Sequence, residues 1–337
     1  MTEPAACPVE PERAAGGSQG TLANEPWLAI VNPVAGRRSR NARAWLAMEQ
    51  ALRDAGLEFN VEFTAAPGDG ERLATAAMRR GRSRFLVAGG DGSVHDVVNG
   101  IMRARAAATS AVTHAAIPTL VPLPLGTGND WSRTLDLPHD PAGLAAVIRR
   151  NRTHRHDVGR IDFPGAASAR DATRWFINVA GAGFDAHVIE RMPARTAAGF
   201  AYLGQALREL GRYRSPHFRI ETAGDGAAIE GRLLLAFVAN GRYCGGRMHV
   251  APTARQDDGR FDVVTIDEVG LLRALPKLAK LYRGSLLNDP LVAHRLADRV
   301  RIEATPPAGI EADGQFVGRT PAVFSIIGGA LHVLRGP

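Results

Sequence analysis

The chain is poor in cysteine and aromatic residues, and it contains no long hydrophobic run. Its 337 residues include two cysteines. Cys7 and Cys244 form neither a paired framework nor a metal-ligand spacing, which excludes a disulfide-stapled scaffold and fits a reducing compartment. Aromatic residues make up 6% and do not interleave with the basic stretches, so no base-stacking platform for nucleic acid is expected. The longest apolar run, Leu233 to Asn240, falls far short of the roughly 20 residues that a spanning helix needs. Residues 1–26 lack the apolar stretch of a secretory signal. A cytoplasmic protein with peripheral membrane contact as its furthest reach is the expectation. Oligomeric state is not legible.

What is present is the composition of a folded protein, 45% apolar and 22% charged, with enough residues for two domains. Lys and Arg number 41 against 34 Asp and Glu, a formal charge of +7, which favours anionic partners without choosing among them. After a head over residues 1–25, expected to be disordered, Trp27–Val31, Glu58–Phe63 and Phe85–Ala88 read as strands. Helices over 43–55, 70–80 and 93–105 alternate with them, which implies a parallel sheet with helices on its faces. From about Asp157 short strands separated by Gly, Pro and Asp turns take over, interrupted by helices over 197–210 and 269–282. The expectation is an α/β domain over 26–152, on which residues 322–337 pack back, and a β domain over 153–321.

The sharpest chemistry lies in Phe85-Leu-Val-Ala-Gly-Gly-Asp-Gly-Ser-Val-His-Asp-Val-Val-Asn-Gly100, a strand entering a glycine-rich turn that opens a helix. Gly89, Gly90 and Gly92 let backbone N–H groups crowd a phosphate, and the helix beginning at Ser93 adds its positive end. A carboxylate at Asp91 would repel phosphate unless it binds Mg²⁺ or takes a proton from an attacking hydroxyl. Taken alone the segment is equally a surface turn with Asp91 capping the helix. Leu120-Val-Pro-Leu-Pro-Leu-Gly-Thr-Gly-Asn-Asp130 repeats the logic, with Gly126, Thr127, Gly128 and Asn129 either facing a phosphate or ribose or satisfying their own loop. A third loop, Asn32-Pro-Val-Ala-Gly36 followed by Arg37 and Arg38, ends the first strand. Loops at the carboxyl ends of parallel strands converge on one edge, where ligands bind.

These three loops, in this order and at these separations, resemble the diacylglycerol kinase catalytic-domain family, which includes bacterial lipid kinases and sphingosine and ceramide kinases. The likeness continues through Phe176-Ile-Asn-Val-Ala-Gly-Ala-Gly-Phe-Asp185, Ala239-Asn-Gly241, Asp257-Asp-Gly-Arg-Phe-Asp262 and Glu311-Ala-Asp-Gly-Gln315. It implies an ATP-dependent kinase that phosphorylates a lipid hydroxyl, with an N-terminal three-layer α/β nucleotide-binding domain and a C-terminal β-sandwich carrying the lipid site. By the same resemblance ATP is held by Asn32, Gly89, Gly90, Asp91, Gly92, Ser93, Val94, His95, Gly126, Thr127 and Asn129, with Thr64 as a further contact. Mg²⁺ is implied at Asp258 with the main chain of Arg255 and Arg260, although an isolated Asp-Asp-Gly also reads as a hairpin turn. Bacterial members usually carry Asp-Gly-Glu near the end, with the Glu as proton acceptor, whereas this chain has Asp313-Gly314-Gln315. A carboxamide accepts no proton at neutral pH, so Asp91, proposed as the base in sphingosine kinases, is the first choice and Asp313 a supporting carboxylate. Two other readings stand beside the lipid kinase: a kinase of small molecules like the NAD kinases, which share the GGDG turn, and a nucleotide-binding regulator weakened by Gln315.

Weaker signals remain. Leu271, Leu272, Leu275, Leu278 and Tyr282 form a stripe that fits a helix docked on the β domain better than a membrane-surface helix. His154 and His156, flanked by Arg152, Arg155 and Asp157, read as solvated linker residues, and Asp185 as a turn residue.

Overall fold

Each buried run of the N-terminal half forms a strand, and each amphipathic stretch a helix that covers it. The computed structural model describes residues 25–35, 38–108, 116–168, 171–192, 200–223, 227–270 and 279–336. In chain order β1 (Trp27–Val31), α1 (Arg38–Asp54), β2 (Phe59–Phe63), α2 (Asp69–Arg79), β3 (Arg84–Gly89), α3 (Asp91–Ala107), β4 (Thr119–Pro124), α4 (Asp130–Thr134) and α5 (Pro141–Arg150) make the first unit. All five residues of β1 are buried, as expected of a parallel strand covered on both faces. On α2 the buried positions Gly70, Leu73, Ala74 and Ala77 follow the helical i, i+3, i+4, i+7 stripe. The strands pair in the order β2-β1-β3-β4, all parallel. Val31 lies beside Phe63 and Ala88, and Gly89 beside Pro124, so the four carboxyl ends finish level along one rim.

The second half is a β-sandwich. It contains β5 (Thr153–Asp162), β6 (Thr173–Phe176), β7 (Val179–Gly183), α6 (Phe184–Arg191), α7 (Phe200–Leu210), β8 (His217–Thr222) and β9 (Ile229–Ala239). It continues with β10 (Tyr243–Cys244), β11 (Met248–His249), β12 (Phe261–Asp267), β13 (Val292–Ala297), β14 (Arg299–Thr305), β15 (Gly309–Ala312), β16 (Gln315–Arg319) and β17 (Ala322–Leu334). On β8 exposed and buried residues alternate, sending Phe218 and Ile220 inward. They meet Phe176, Phe261 and Phe324 in one buried cluster, in which Phe176 stacks on Phe261 at 5.6 Å between ring centres.

One strand joins the two sheets of the sandwich, and another joins the sandwich to the α/β unit. β9 pairs with β8 through Ile229–Arg232 and with β7 through Leu235–Ala239, passing from one sheet of the sandwich to the other. β17 begins beside β14, runs antiparallel to β5, and ends with His332 and Val333 parallel to Thr119 and Leu120 of β4. Leu331, Val333 and Leu334 thereby enter the core of the α/β unit.

One expectation is corrected. His154 and His156 lie in β5 and not in a linker, because only Asn151 and Arg152 separate α5 from that strand. His154 stays exposed, but His156 is 0% exposed. Residues 1–24 of the expected disordered head, Gly36, Arg37 and the Leu271–Leu278 part of the apolar stripe lie outside the described residues. No described helix is long and apolar enough to cross a membrane.

Candidate active site

The level strand ends bring two glycine turns and the start of the β1 loop together. A Cβ on Gly126 would fall 2.3 Å from the Gly90 Cα, so the GGDG and GTGN turns touch backbone to backbone at a distance only glycine permits. Gly126→Ala is expected to push the turns apart and cost about 1–3 kcal/mol of stability, read from urea unfolding. Leu125 and Gly126 both donate their N–H to the Gly89 carbonyl at 3.0 Å. Asn32 Nδ2 donates to Ser93 Oγ at 3.1 Å, tying the β1 loop to the same turn, and the Thr64 N–H bonds to the Val31 carbonyl. Asn32, Thr64, Gly89, Gly90, Asp91, Gly92, Ser93, Gly126 and Thr127 therefore occupy one rim.

The rim residues differ in what they leave free. The Asn129 side chain is spent on its own loop, donating to the carbonyls of Pro124 and Gly126 and accepting from the Gly126 N–H. Thr127 is exposed and Thr64 half-exposed, and neither side chain has a partner among the described residues. Val94 and His95 are buried, with His95 turned toward Asp313.

Asp91 is half-buried at the first position of α3. Its two carboxylate oxygens accept the N–H groups of Asp130 and Trp131, each at 3.2 Å, so it caps α4 and not its own helix. Burial, reinforced by the neighbouring Asp130 charge, pushes its carboxyl up to about 6. Asp130 in turn clamps the other domain. Its oxygens accept from the N–H groups of Gly246 at 2.7 Å and Arg247 at 2.9 Å and from the Arg133 guanidinium. Gly245, Gly246 and Arg247 all have positive φ, which curls their N–H groups around the anion.

Asp313 locks the opposite wall. One oxygen accepts from the N–H groups of Asn178 and Val179, and the other from the N–H of Ile177 and from His95 Nδ1 at 3.1 Å. With both oxygens engaged, Asp313 joins α3 to the β6–β7 turn. Gln315 reaches the rim: its amide nitrogen lies 2.9 Å from where a Cβ on Gly92 would sit. Asp185 is not in an open turn but buried at the start of α6. It lies against Glu311 beneath Gly181, where an added Cβ would fall 1.7 Å from Asp185 Oδ2 and 3.1 Å from Glu311 Oε1. Burial raises both carboxyls well above the usual range, so the pair retains a proton near neutrality.

The loop over 255–260 lies between β11 and β12. Asp258 is exposed and its Oδ1 accepts the Arg260 N–H at 3.1 Å. Asp257 is taken by Arg255, whereas Asp258 has no ion pair among the described residues. No three His, Cys, Asp or Glu side chains among those residues gather to hold a metal. A carboxylate without a cation partner is nevertheless a hard oxygen donor of the kind Mg²⁺ prefers, so the loop fits that ion in kind.

Several site residues escaped the sequence. A hydrogen-bonded path leads from the 255–260 loop to Asp91. Asp157 accepts the Gly259 N–H at 2.8 Å, His156 Nδ1–H donates to the Asp157 carbonyl at 2.6 Å, and Trp131 Nε1–H donates to His156 Nε2 at 3.1 Å. Asn240 joins the same region, donating to the carbonyls of Asp157 and Ile177. Alternation within Thr153–Asp162 is the signal that could have turned His156 inward.

Comparison with known proteins places both halves. Residues 26–161 match the diacylglycerol kinase catalytic domain, and residues 178–335 match the YegS C-terminal NAD kinase beta sandwich-like domain. The chain is 27% identical over 309 residues to a diacylglycerol kinase of Bacillus subtilis (strain 168), covering 90% of this chain and 94% of that protein. It is 28% identical over 276 residues to a diacylglycerol kinase of Staphylococcus haemolyticus (strain JCSC1435), covering 81% and 77%. A crystal structure of a diacylglycerol kinase from Bacillus anthracis str. Sterne superposes with a TM-score of 0.65 at 24% identity, covering 93% of this chain and 97% of that one. At that identity the superposition establishes the shared fold.

Proposed function

Because the chain belongs to the diacylglycerol kinase catalytic-domain family, a family of kinases, we propose that it transfers the γ-phosphoryl group of ATP to the hydroxyl of a lipid such as diacylglycerol. The observation that carries this reading is the position of Asp91, a half-buried carboxylate between Gly90 and Gly92 in the chain, held by the Asp130 and Trp131 N–H groups at the rim where the strand-end loops meet. Its elevated pKa makes it a stronger base than an ordinary aspartate while leaving it ionised above about pH 6. The triphosphate lies on the glycine turns with the hydroxyls of Thr127 and Thr64 free to donate to it. The acceptor hydroxyl enters between the domains and gives its proton to Asp91 as its oxygen bonds to the γ-phosphorus. The bond from phosphorus to the bridging oxygen breaks, and ADP leaves. Asp130 and Trp131 hold the Asp91 carboxylate in orientation through their N–H groups. Asp258, with main-chain oxygens of Arg255 and Arg260, would hold Mg²⁺, whose positive charge supports the anionic cleft.

Incubation with labelled ATP, Mg²⁺ and a panel of diacylglycerols, sphingoid bases, monoacylglycerols, phosphatidylglycerol and NAD tests the reading. Phosphate on a lipid supports it; phosphate on NAD alone transfers the site to a small-molecule kinase.

Gln315 decides between full and weakened catalysis. Its carboxamide lies over Gly92 as a neutral group beside the anion site. With Asp91 as base, Gln315→Glu is expected to raise KM for ATP about tenfold by setting a negative charge against the phosphates, with kcat unimproved. A rise in kcat in that variant would instead mark position 315 as the place of a missing base and favour the nucleotide-binding regulator.

A further inference from the structure

Away from the rim, one cavity gathers cations without an anion to match them. A pocket of ≈ 260 Å³ is lined by Val147, Arg150, Arg152, His154, Arg335 and Gly336. It forms where α5 ends, β5 begins and β17 runs out, and it shares no residue with the glycine turns. We propose that this pocket binds the phosphate group of a small anionic ligand.

Three guanidinium groups around one cavity repel each other unless a negative charge joins them. Among the described residues no carboxylate pairs with Arg150, Arg152 or Arg335, and the lining includes none. Arg335 supplies the second observation. Its Nε is buried with no hydrogen-bond partner, while its Nη2 donates to Gln256 Oε1 at 3.2 Å. That bond fixes the guanidinium where it lines the pocket, so its charge is pre-set for an oxyanion. Basic residues in the last turn of α5 are ordinary partners for a helix carboxyl end, which accounts for Arg150. It does not account for Arg152, His154 and Arg335, which come from a loop and two strand ends. The cavity is smaller than the roughly 300–1,000 Å³ of sites that enclose a drug-sized molecule, so the ligand is of headgroup size. Planar guanidinium forks match the oxygens of a phosphate two at a time.

The phosphate could arrive free or on a lipid surface, and two probes separate these sources. Glycerol 3-phosphate is titrated calorimetrically into the full chain without nucleotide. Vesicles of phosphatidic acid in phosphatidylcholine are compared with phosphatidylcholine alone by cosedimentation. Arg152→Glu is expected to weaken binding of the effective probe at least tenfold, and Arg150→Glu to act in the same direction; both arginines are exposed, so the fold should persist. Arg299→Glu, an exposed arginine on β14, changes net charge equally and should bind as the parent does. Loss with glycerol 3-phosphate assigns a soluble ligand, and loss with vesicles alone assigns a lipid headgroup. Failure of the parent to bind either probe, or equal loss in Arg299→Glu, would overturn the assignment. Because nucleotide is absent, the outcome is independent of the proposed kinase reaction.

Discussion

Asp91→Asn is expected to abolish phosphoryl transfer and, at neutral pH, to make the protein more stable. The loss of turnover follows from removing the proposed proton acceptor, worth about 10²- to 10⁴-fold. The gain in stability follows from the raised pKa. Burial pushes the folded carboxyl up to about 6 from its ordinary 3.8. Below 3.8 it is protonated in both states and carries no penalty; as pH rises to 6 the unfolded chain ionises first and stability falls. Above 6 the full penalty is present. Asparagine never carries it, though it holds the Asp130 and Trp131 N–H groups less strongly, so the net gain is about 1–2 kcal/mol. Urea melts of both proteins across pH 4–7, together with phosphate transfer, check this. The gap should open as pH rises, and kcat/KM of the parent should fall below about pH 6. Turnover like the parent's would remove Asp91 from the chemistry, and a destabilised variant at pH 7 would mean that the capping bonds outweigh the burial penalty.

The second large effect has the opposite sign. His156 is buried, and desolvation pushes it down to about 4 from 6.5. Its tautomer is fixed: Nδ1–H donates to the Asp157 carbonyl and Nε2 accepts from Trp131. Above pH 6.5 the ring is neutral in both states. As pH falls the unfolded ring takes a proton that the folded one refuses, so stability drains away between 6.5 and 4, by about 3 kcal/mol at the limit. His156→Gln retains an acceptor for the indole and loses this slope. The stability difference between parent and variant should therefore shrink or reverse on acidification, measured by denaturant unfolding at pH 7 and pH 4.5. Parallel curves would show that the ring is hydrated and titrates freely. Trp131 also caps Asp91 with its N–H, so an acid-strained His156 is expected to disturb the rim as well as the fold.

These two side chains illustrate what a sequence discloses. The glycine turns were legible because their chemistry is local: a strand, two or three residues without Cβ, and a helix start lie within ten positions of one another. The order of elements and the β character of the second half were legible for the same reason, from alternation and turns such as those bounding His217–Thr222, whereas the sandwich was implied by the family resemblance. The clamps were not. Asp130 finds its partners at Gly246 and Arg247, 116 and 117 residues away, and Asp313 meets His95 across 218. Nothing in the neighbourhood of either aspartate distinguishes an anchor from a catalyst. His156 was misread because two charged neighbours outweighed the inward phase of a strand. Asp185 reads as a turn residue in sequence because its partner, Glu311, belongs to a strand far along the chain.

The path of β17 bears on how the protein comes to be folded. The α/β sheet acquires the neighbour of β4 from residues some two hundred positions later, after the sandwich has been threaded through. A fragment ending near Arg150 would present β4 as a bare apolar edge, ready to pair with other chains. The catalytic half is thus no free-standing module. Its maturation waits on distant contacts, a topology that slows folding and gives chaperones a reason to hold the nascent chain.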